Sequence, residues 1–229
     1  MIDTTNSICI IGSISEEPHY DHTVCGEAFY HIEVAARRLS GAKDVVPATV
    51  SERLIAGYPD SFCKEDTRVR IKGQIRSYNR RSEERNRLLI TVFARELTLM
   101  PAAEDEEAGE LAEPDIAADG GEPYAEADFN EAGLVGAVCK PVVYRTTPFC
   151  REIADVLIAV NRRYGKSDYL PCIAWGRNAR FAEGLCVGEQ IAVRGRMQSR
   201  QYQKTLPDGT TEQRTAYEIS CSSIERRTN

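Results

Sequence analysis

The sequence predicts an all-β chain built as two tandem small barrels joined by an acidic linker, and three observations carry that prediction. The first is a charge asymmetry. The chain has 229 residues and a formal net charge of -6, yet residues 101 to 128 hold 11 of its 35 Asp and Glu and none of its 29 Lys and Arg. That stretch, PAAEDEEAGELAEPDIAADGGEPYAEAD, is rich in Ala, Gly, Pro and like charges, and has too little apolar surface to offset its ordering entropy; it reads as a disordered linker. The flanks, 1 to 100 and 129 to 229, are each the size of a small domain. The second observation is that these flanks repeat one another in order. Gly12 answers Gly136, AARRLSG from Ala35 answers VNRRYG from Val160, VVPATVS ending at Ser51 answers YLPCIAW ending at Trp175, and Arg68 to Ser77 answers Gln190 to Ser199. The third is periodicity: Val69, Ile71, Gly73 and Ile75 alternate with Arg68, Arg70, Lys72 and Gln74, which is the period of a strand.

Taken in order, strands are expected at Ser7 to Ile14, Tyr30 to Ala36, Arg68 to Ser77 and Leu88 to Leu97 in the first lobe. The second lobe gives Leu134 to Val138, Val156 to Asn161, Tyr169 to Trp175, Gln190 to Ser199 and Tyr217 to Ile224. Short helices are expected only at Ser51 to Ala56 and Asn178 to Leu185. Asp208-Gly209 marks the tip of a long hairpin, as does the polar run from Asn79 to Arg87. In the Gln190 strand Ile191, Val193 and Met197 point inward and Arg194, Arg196, Gln198, Arg200 and Tyr202 outward. Pro171 and Pro47, at matching places inside strands, predict a bulge in each copy. About five strands with one short helix before the fourth make a small Greek-key barrel, the OB-fold.

Other classes are excluded by what the chain lacks. No apolar run approaches the length of a membrane span, and Met1 to Ser15 has neither the basic start nor the apolar stretch of a secretory leader, so a soluble, cytoplasmic chain is expected with no membrane partner. The eight cysteines form no C-x-x-C pair, which predicts neither a zinc ribbon nor a disulfide framework. His19, His22 and Cys25 recur every third residue, but without a fourth ligand they read as a polar loop and not a metal site. No phosphate-cradling loop, nucleophile elbow or plausible nucleophile and base pair is present, so no enzyme and no cofactor is expected.

Residues 153 to 204, IADVLIAVNRRYGKSDYLPCIAWGRNARFAEGLCVGEQIAVRGRMQSRQYQK, carry A-V-N-R, then C-x-A-W-G, then V-x-G-R-x-x-S-R, and they resemble the bacterial single-stranded DNA-binding protein family. The resemblance covers most of the second lobe and is fainter in the first. It implies sequence-independent binding of single-stranded DNA in replication, recombination or repair, in the bacterial cytoplasm at the nucleoid. It also implies a homodimer of two-domain chains presenting four OB-folds. In the family, positions matching Tyr169, Trp175 and Tyr202 stack on bases, and Tyr164 lies near a fourth. Arg162, Arg163, Lys166, Arg177 and Lys204 surround them, with Arg196 and Arg200 on the Tyr202 strand face. Taken singly, each of these residues reads more readily as a packed aromatic or a solvated arginine; their shared parity on two strands, together with the resemblance, reverses that preference.

The first lobe departs from that pattern. Val45, Ser51, Leu39 and Arg80 stand where Tyr169, Trp175, Tyr164 and Tyr202 stand. It keeps Arg37, Arg38, Arg76, Tyr78 and Arg80, which either track phosphates or form a charged loop balanced by Glu83 and Glu84. The last residues, Ile224 to Asn229, lack the acidic tail with which the family recruits replication and repair proteins, so that role is not expected of them; the internal acidic segment is the candidate substitute. Two alternatives stand beside DNA binding: a primosome-like or plasmid accessory scaffold with weak nucleic-acid binding, and an RNA-binding OB protein.

Overall fold

In the computed structural model the described residues are 5–58, 64–81, 86–100, 127–206 and 209–227. The disorder expected over residues 101 to 126 lies outside them, as does Asp208 of the expected hairpin tip. The first lobe holds β1 (Asn6–Ile14), β2 (His19–Val24), β3 (Glu27–Arg37), β4 (Lys43–Ser51), α1 (Glu52–Ile55), β5 (Arg68–Arg81) and β6 (Asn86–Leu99). The second repeats this plan with β7 (Phe129–Val138), β8 (Val143–Thr146), β9 (Glu152–Asn161), β10 (Ser167–Trp175), α2 (Arg177–Glu183), β11 (Gln190–Thr205) and β12 (Thr211–Arg226).

The strand order β2-β3-β4-β6-β5-β1-β7-β11-β12-β10-β9-β8 is a palindrome about β1 and β7. Within each lobe the barrel closes through a short additional pairing, β1 with β3 and β7 with β9. Closure demands that two backbones meet closely: a Cβ on Gly12 would stand 2.3 Å from the Ala35 carbonyl oxygen, and one on Gly136 2.5 Å from that of Ala159. This is why the two glycines matched in the repeat. Inward residues such as Ile10, Val34, Ile71, Leu134, Ile158 and Ile191 are fully or almost fully buried, which is the main stabilising contribution of such alternation.

Several expectations change. Each lobe has six strands: β4 occupies the VVPATVS segment that matched YLPCIAW, while β2 and β8 form where no strand was expected; all six residues of β2 are exposed, so it carries no apolar alternation to detect. β7 begins at Phe129 rather than Leu134, because residues 129 to 134 pair antiparallel with β1 across the lobe boundary. Neither proline makes a bulge: β3–β4 and β9–β10 run in unbroken register through Pro47 and Pro171. The Pro47 carbonyl accepts from the Thr91 hydroxyl at 3.2 Å, so its backbone faces β6, where the parallel pairing covers only Ala48 and Thr49 and no donor is required of Pro47. The matching bulges of the two copies sit instead at Lys72/Gly73 and Arg194/Gly195, and the β2–β3 pair has a further register shift between Tyr20 and His22.

Candidate nucleic-acid interface

β10 alternates as the sequence predicted except at Ile173, which shares the parity of Tyr169 and Trp175 but is buried. Leu170 and Ala174 are buried in the barrel, while Tyr169 and Trp175 are 44% and 40% exposed on the opposite face. Trp175 ends the strand, and Gly176, at φ 53°, turns the chain into α2, whose first residue Arg177 is exposed. Beside Trp175 lies a groove of about 660 Å³, lined by Ile173 and Trp175 of β10, Arg200 of β11, and Lys140, Val143 and Arg145 from the β8 region. Arg145 is ion-paired with Asp155 of β9 and is still half exposed. Lys140 and Arg145 escaped sequence reasoning, since β8 gives no periodic signal and the first lobe offers no matching cations there.

Tyr164 is 97% exposed on a 3-10 turn, Arg163–Gly165, and adopts φ 66°, a conformation that costs a side-chain-bearing residue free energy. It stands among exposed Arg163 and Lys166. Arg162 does something else. Its guanidinium is ion-paired with Asp168, which is fully buried and also accepts from the Ser77 backbone N–H at 2.6 Å and from Arg76 Nη1 at 3.4 Å. The first lobe mirrors this: Asp44, 1% exposed, is ion-paired with Arg38, whose Nε donates at 2.7 Å, and Arg196 Nε stands 3.4 Å away. That last contact is ionic and lacks hydrogen-bond geometry, since Arg196 Nε has no hydrogen-bond partner. The Asp44 bond pushes the Arg38 pKa up further.

Thus Arg76 of the first lobe reaches an aspartate of the second, and Arg196 of the second an aspartate of the first. Two serines repeat the exchange: Tyr169 N–H donates to Ser77 Oγ at 2.8 Å, and Val45 N–H to Ser199 Oγ at 3.3 Å. Arg38, Arg76, Arg162 and Arg196, expected along a solvated face, therefore sit at the lobe junction on buried carboxylates. Gln198, also expected outward, is buried and donates to Glu218. Parity assigns a face of a strand, but it cannot say that the other lobe covers it.

The hairpins cross the junction as well. A larger groove, about 890 Å³, joins His31, Pro47 and Thr49 of the first lobe to Tyr202, Lys204 and Arg214 of the second. Tyr202 and Trp175, expected on one platform, line different grooves, with Arg200 between them; its guanidinium carbon is 5.7 Å from the Tyr202 ring centre. Tyr78, 45% exposed, likewise meets Arg162 of the other lobe at 5.8 Å. Arg37 is exposed, and its backbone N–H donates to Asp128 at 2.6 Å; Asp128 is also ion-paired with Arg68, so the last residue of the expected linker is held against the first lobe. The side chain of Arg80 lies outside the described residues. His19, His22 and Cys25 lie along β2 and its turn, and no group of three metal ligands occurs among the described residues.

Comparisons with known proteins agree with this architecture. Residues 129–227 match the Single-strand binding protein family. The chain is 34% identical over 82 residues to single-stranded DNA-binding protein 1 of Staphylococcus aureus, covering 33% of this chain and 49% of that one. It is 33% identical over 82 residues to single-stranded DNA-binding protein B of Bacillus subtilis, covering 33% of this chain and 73% of that one. The chain thus spans about half the length of the first of these relatives. The crystal structure of the wild-type single-stranded DNA binding protein from Thermus aquaticus superposes with a TM-score of 0.68 at 18% identity, covering 98% of this chain and 93% of that one; at such identity the likeness is one of fold.

Proposed function

The chain belongs to the single-strand binding protein family, and from that premise we propose that it binds single-stranded DNA without reading its sequence, as a non-enzymatic protein of replication, recombination or repair in the bacterial cytoplasm. The observation that carries the reading is the groove beside Trp175, where an exposed aromatic face stands among Lys140, Arg145 and Arg200. A strand held without base readout needs stacking surfaces for bases and cations for phosphates, and each base stacked on an aromatic is worth roughly 1 to 3 kcal/mol. Tyr169 shares the outward face of β10 with Trp175, and Tyr164, Arg163, Lys166 and Arg177 are exposed on the segments that flank that strand. Two copies of the chain would present four barrels, the assembly that the family resemblance implies. The scaffold alternative has no comparable observation in its favour.

Trp175 is the only tryptophan, so its fluorescence reports this groove alone. Titration with oligo(dT) is expected to quench it, and Trp175→Ala is expected to cost about 1 to 3 kcal/mol of affinity. Affinity should fall linearly with log salt. Arg200→Ala should reduce the slope by about 0.7 for each phosphate that the guanidinium neutralises. Emission that stays unchanged at saturation overturns this site. A duplex and an RNA strand of the same sequence, run in parallel, test the choice of nucleic acid.

A further inference from the structure

The first lobe lost the aromatic positions of the second, yet its outer face is not bare of rings. His22 of β2 stacks on Phe29 of β3, with ring centres 5.1 Å apart and planes 13° apart, and Phe29 in turn packs on Phe93 at 5.9 Å. His31 lies 4.9 Å from His19 across the same strand pair. Phe29 and His31 share the outward parity of β3, and face Ser51 and Thr49 in the register with β4. The Phe29 and His31 rings thus stand on the strand next to β4, the counterpart of the one that carries Tyr169 and Trp175 in the other lobe, and the His22 ring stands one strand further out. Phe29 is 9% exposed and serves as a backing, whereas the His22 side chain is 48% exposed, leaving its outer face open.

His22 and His31 line the 890 Å³ groove between the lobes, and the opposite wall is the second-lobe hairpin with Tyr202 and Lys204. Cross-strand ring pairs alone would stabilise the sheet, but they do not call for a cationic wall facing them. Among the described residues Lys204 has no ion-pair partner. We propose that this groove is a second nucleotide-binding site, in which an unpaired base stacks on the His22 and His31 rings and its phosphate lies on Lys204. The inference rests on the reading of the chain as a single-strand binder, and it assigns to the first lobe a platform of its own, completed by a hairpin from the second.

Protonation strengthens such a site, because an imidazolium adds charge toward phosphate. Around the two rings stand Glu16, Asp21 and Glu33 of their own hairpin, with His19 beside them. Asp21 is 3.0 Å from His22 Nδ1. Burial, then Glu16, pushes the Glu33 pKa up. From the packed elements, Tyr78 of β5 and Lys204 and Arg214 of the second lobe face the groove, and Arg214 is held by Glu212. Burial and then His19 pull the His31 pKa down, so its charge arrives only below the ordinary imidazole range.

The test uses the full chain, an oligo(dT) of about 8 residues, within the length one barrel covers, and one of about 30 that reaches both grooves. The paired variant His22→Ala with His31→Ala is expected to weaken the long strand roughly fivefold or more. It should also abolish the rise in affinity expected of the unaltered chain as the pH is lowered from 8 to below the ordinary imidazole range, to about 5. The short strand should keep its affinity and its Trp175 quenching. Lys204→Ala, on the other lobe, should weaken the long strand without touching the histidine hairpin. Long-strand binding equal to the unaltered chain at both pH values, in both variants, overturns the proposal, and so does equal weakening of short and long strands. Failure of the short strand to quench Trp175 in the unaltered chain overturns the functional reading instead.

Discussion

Asp168 is the residue on which most depends at the smallest scale. Its carboxylate is wholly buried and takes Arg162, Arg76 and the Ser77 backbone N–H from two lobes. Removing one partner of a buried ion pair leaves uncompensated charge and costs about 3 to 5 kcal/mol. Asp168→Ala is therefore expected to lower unfolding free energy by about that amount in urea denaturation, far more than Arg163→Ala at an exposed site nearby. Equal costs for the two variants would show that the buried carboxylate is not a strut. The same geometry separates the arginines into two populations. Arg163, Lys166 and Arg177 are exposed with no ion pair among the described residues, and Arg145 and Arg200 are exposed but paired with Asp155 and Glu218. Of the four on Asp44 and Asp168, by contrast, Arg76, Arg162 and Arg196 reach across the lobe junction. The cross-lobe contacts were invisible in the sequence because Asp168 and Asp44 come to Arg76 and Arg196 from the opposite lobe, whereas Arg162 and Arg38 meet the same two aspartates six residues along the chain.

Among the elements, the long hairpins β5–β6 and β11–β12 matter most, since each leaves its own barrel and lies against the other. Each bends at a bulge that carries a glycine, and a Cβ on Gly195 would stand 2.2 Å from the Ser220 carbonyl oxygen, with the matching distance 2.3 Å for Gly73 and Phe93. No flexible side chain can move aside there, because the obstacle is backbone. Gly195→Ala is expected to cost about 1 to 3 kcal/mol and to shift the amide resonances of β11 and β12. A fully stable Gly195→Ala with unchanged spectra would mean that the bulge tolerates a side chain. Strands read from alternation were placed correctly in kind, while β2 and β8 were missed. Their stability comes from edge pairing with β3 and β9 rather than from an apolar face.

For the whole molecule, the β1–β7 pairing and the exchanged aspartate and serine contacts make the lobe junction part of one structure. Unfolding either lobe strips buried charges in the other of their partners. A single transition is therefore expected, with Trp175 fluorescence, which reports the second lobe, and far-ultraviolet circular dichroism, which reports both, giving coincident curves. Two separated transitions would show that the lobes are independent barrels on a tether. The shared grooves follow from the same arrangement: one is built within the second lobe and the other needs both.

What the sequence determined by itself was what depends on local periodicity and composition. Alternation at Ile191, Val193 and Met197 set the strands, the repeat set two copies of one barrel, and the exposed parity of Tyr169 and Trp175 set the aromatic face. Those properties are carried by neighbours along the chain, so they can be read there. Tertiary structure alone decided which outward faces stay in water. It set Arg76 and Arg196 against carboxylates of the opposite lobe, drew Tyr202 away from Trp175 and into a groove with His31, and made room for Pro47 by turning its backbone toward a side of the strand that requires no donor of it. Each of these outcomes depends on a partner far away along the chain, and strand parity, being a local rule, holds no information about what will come to cover a face.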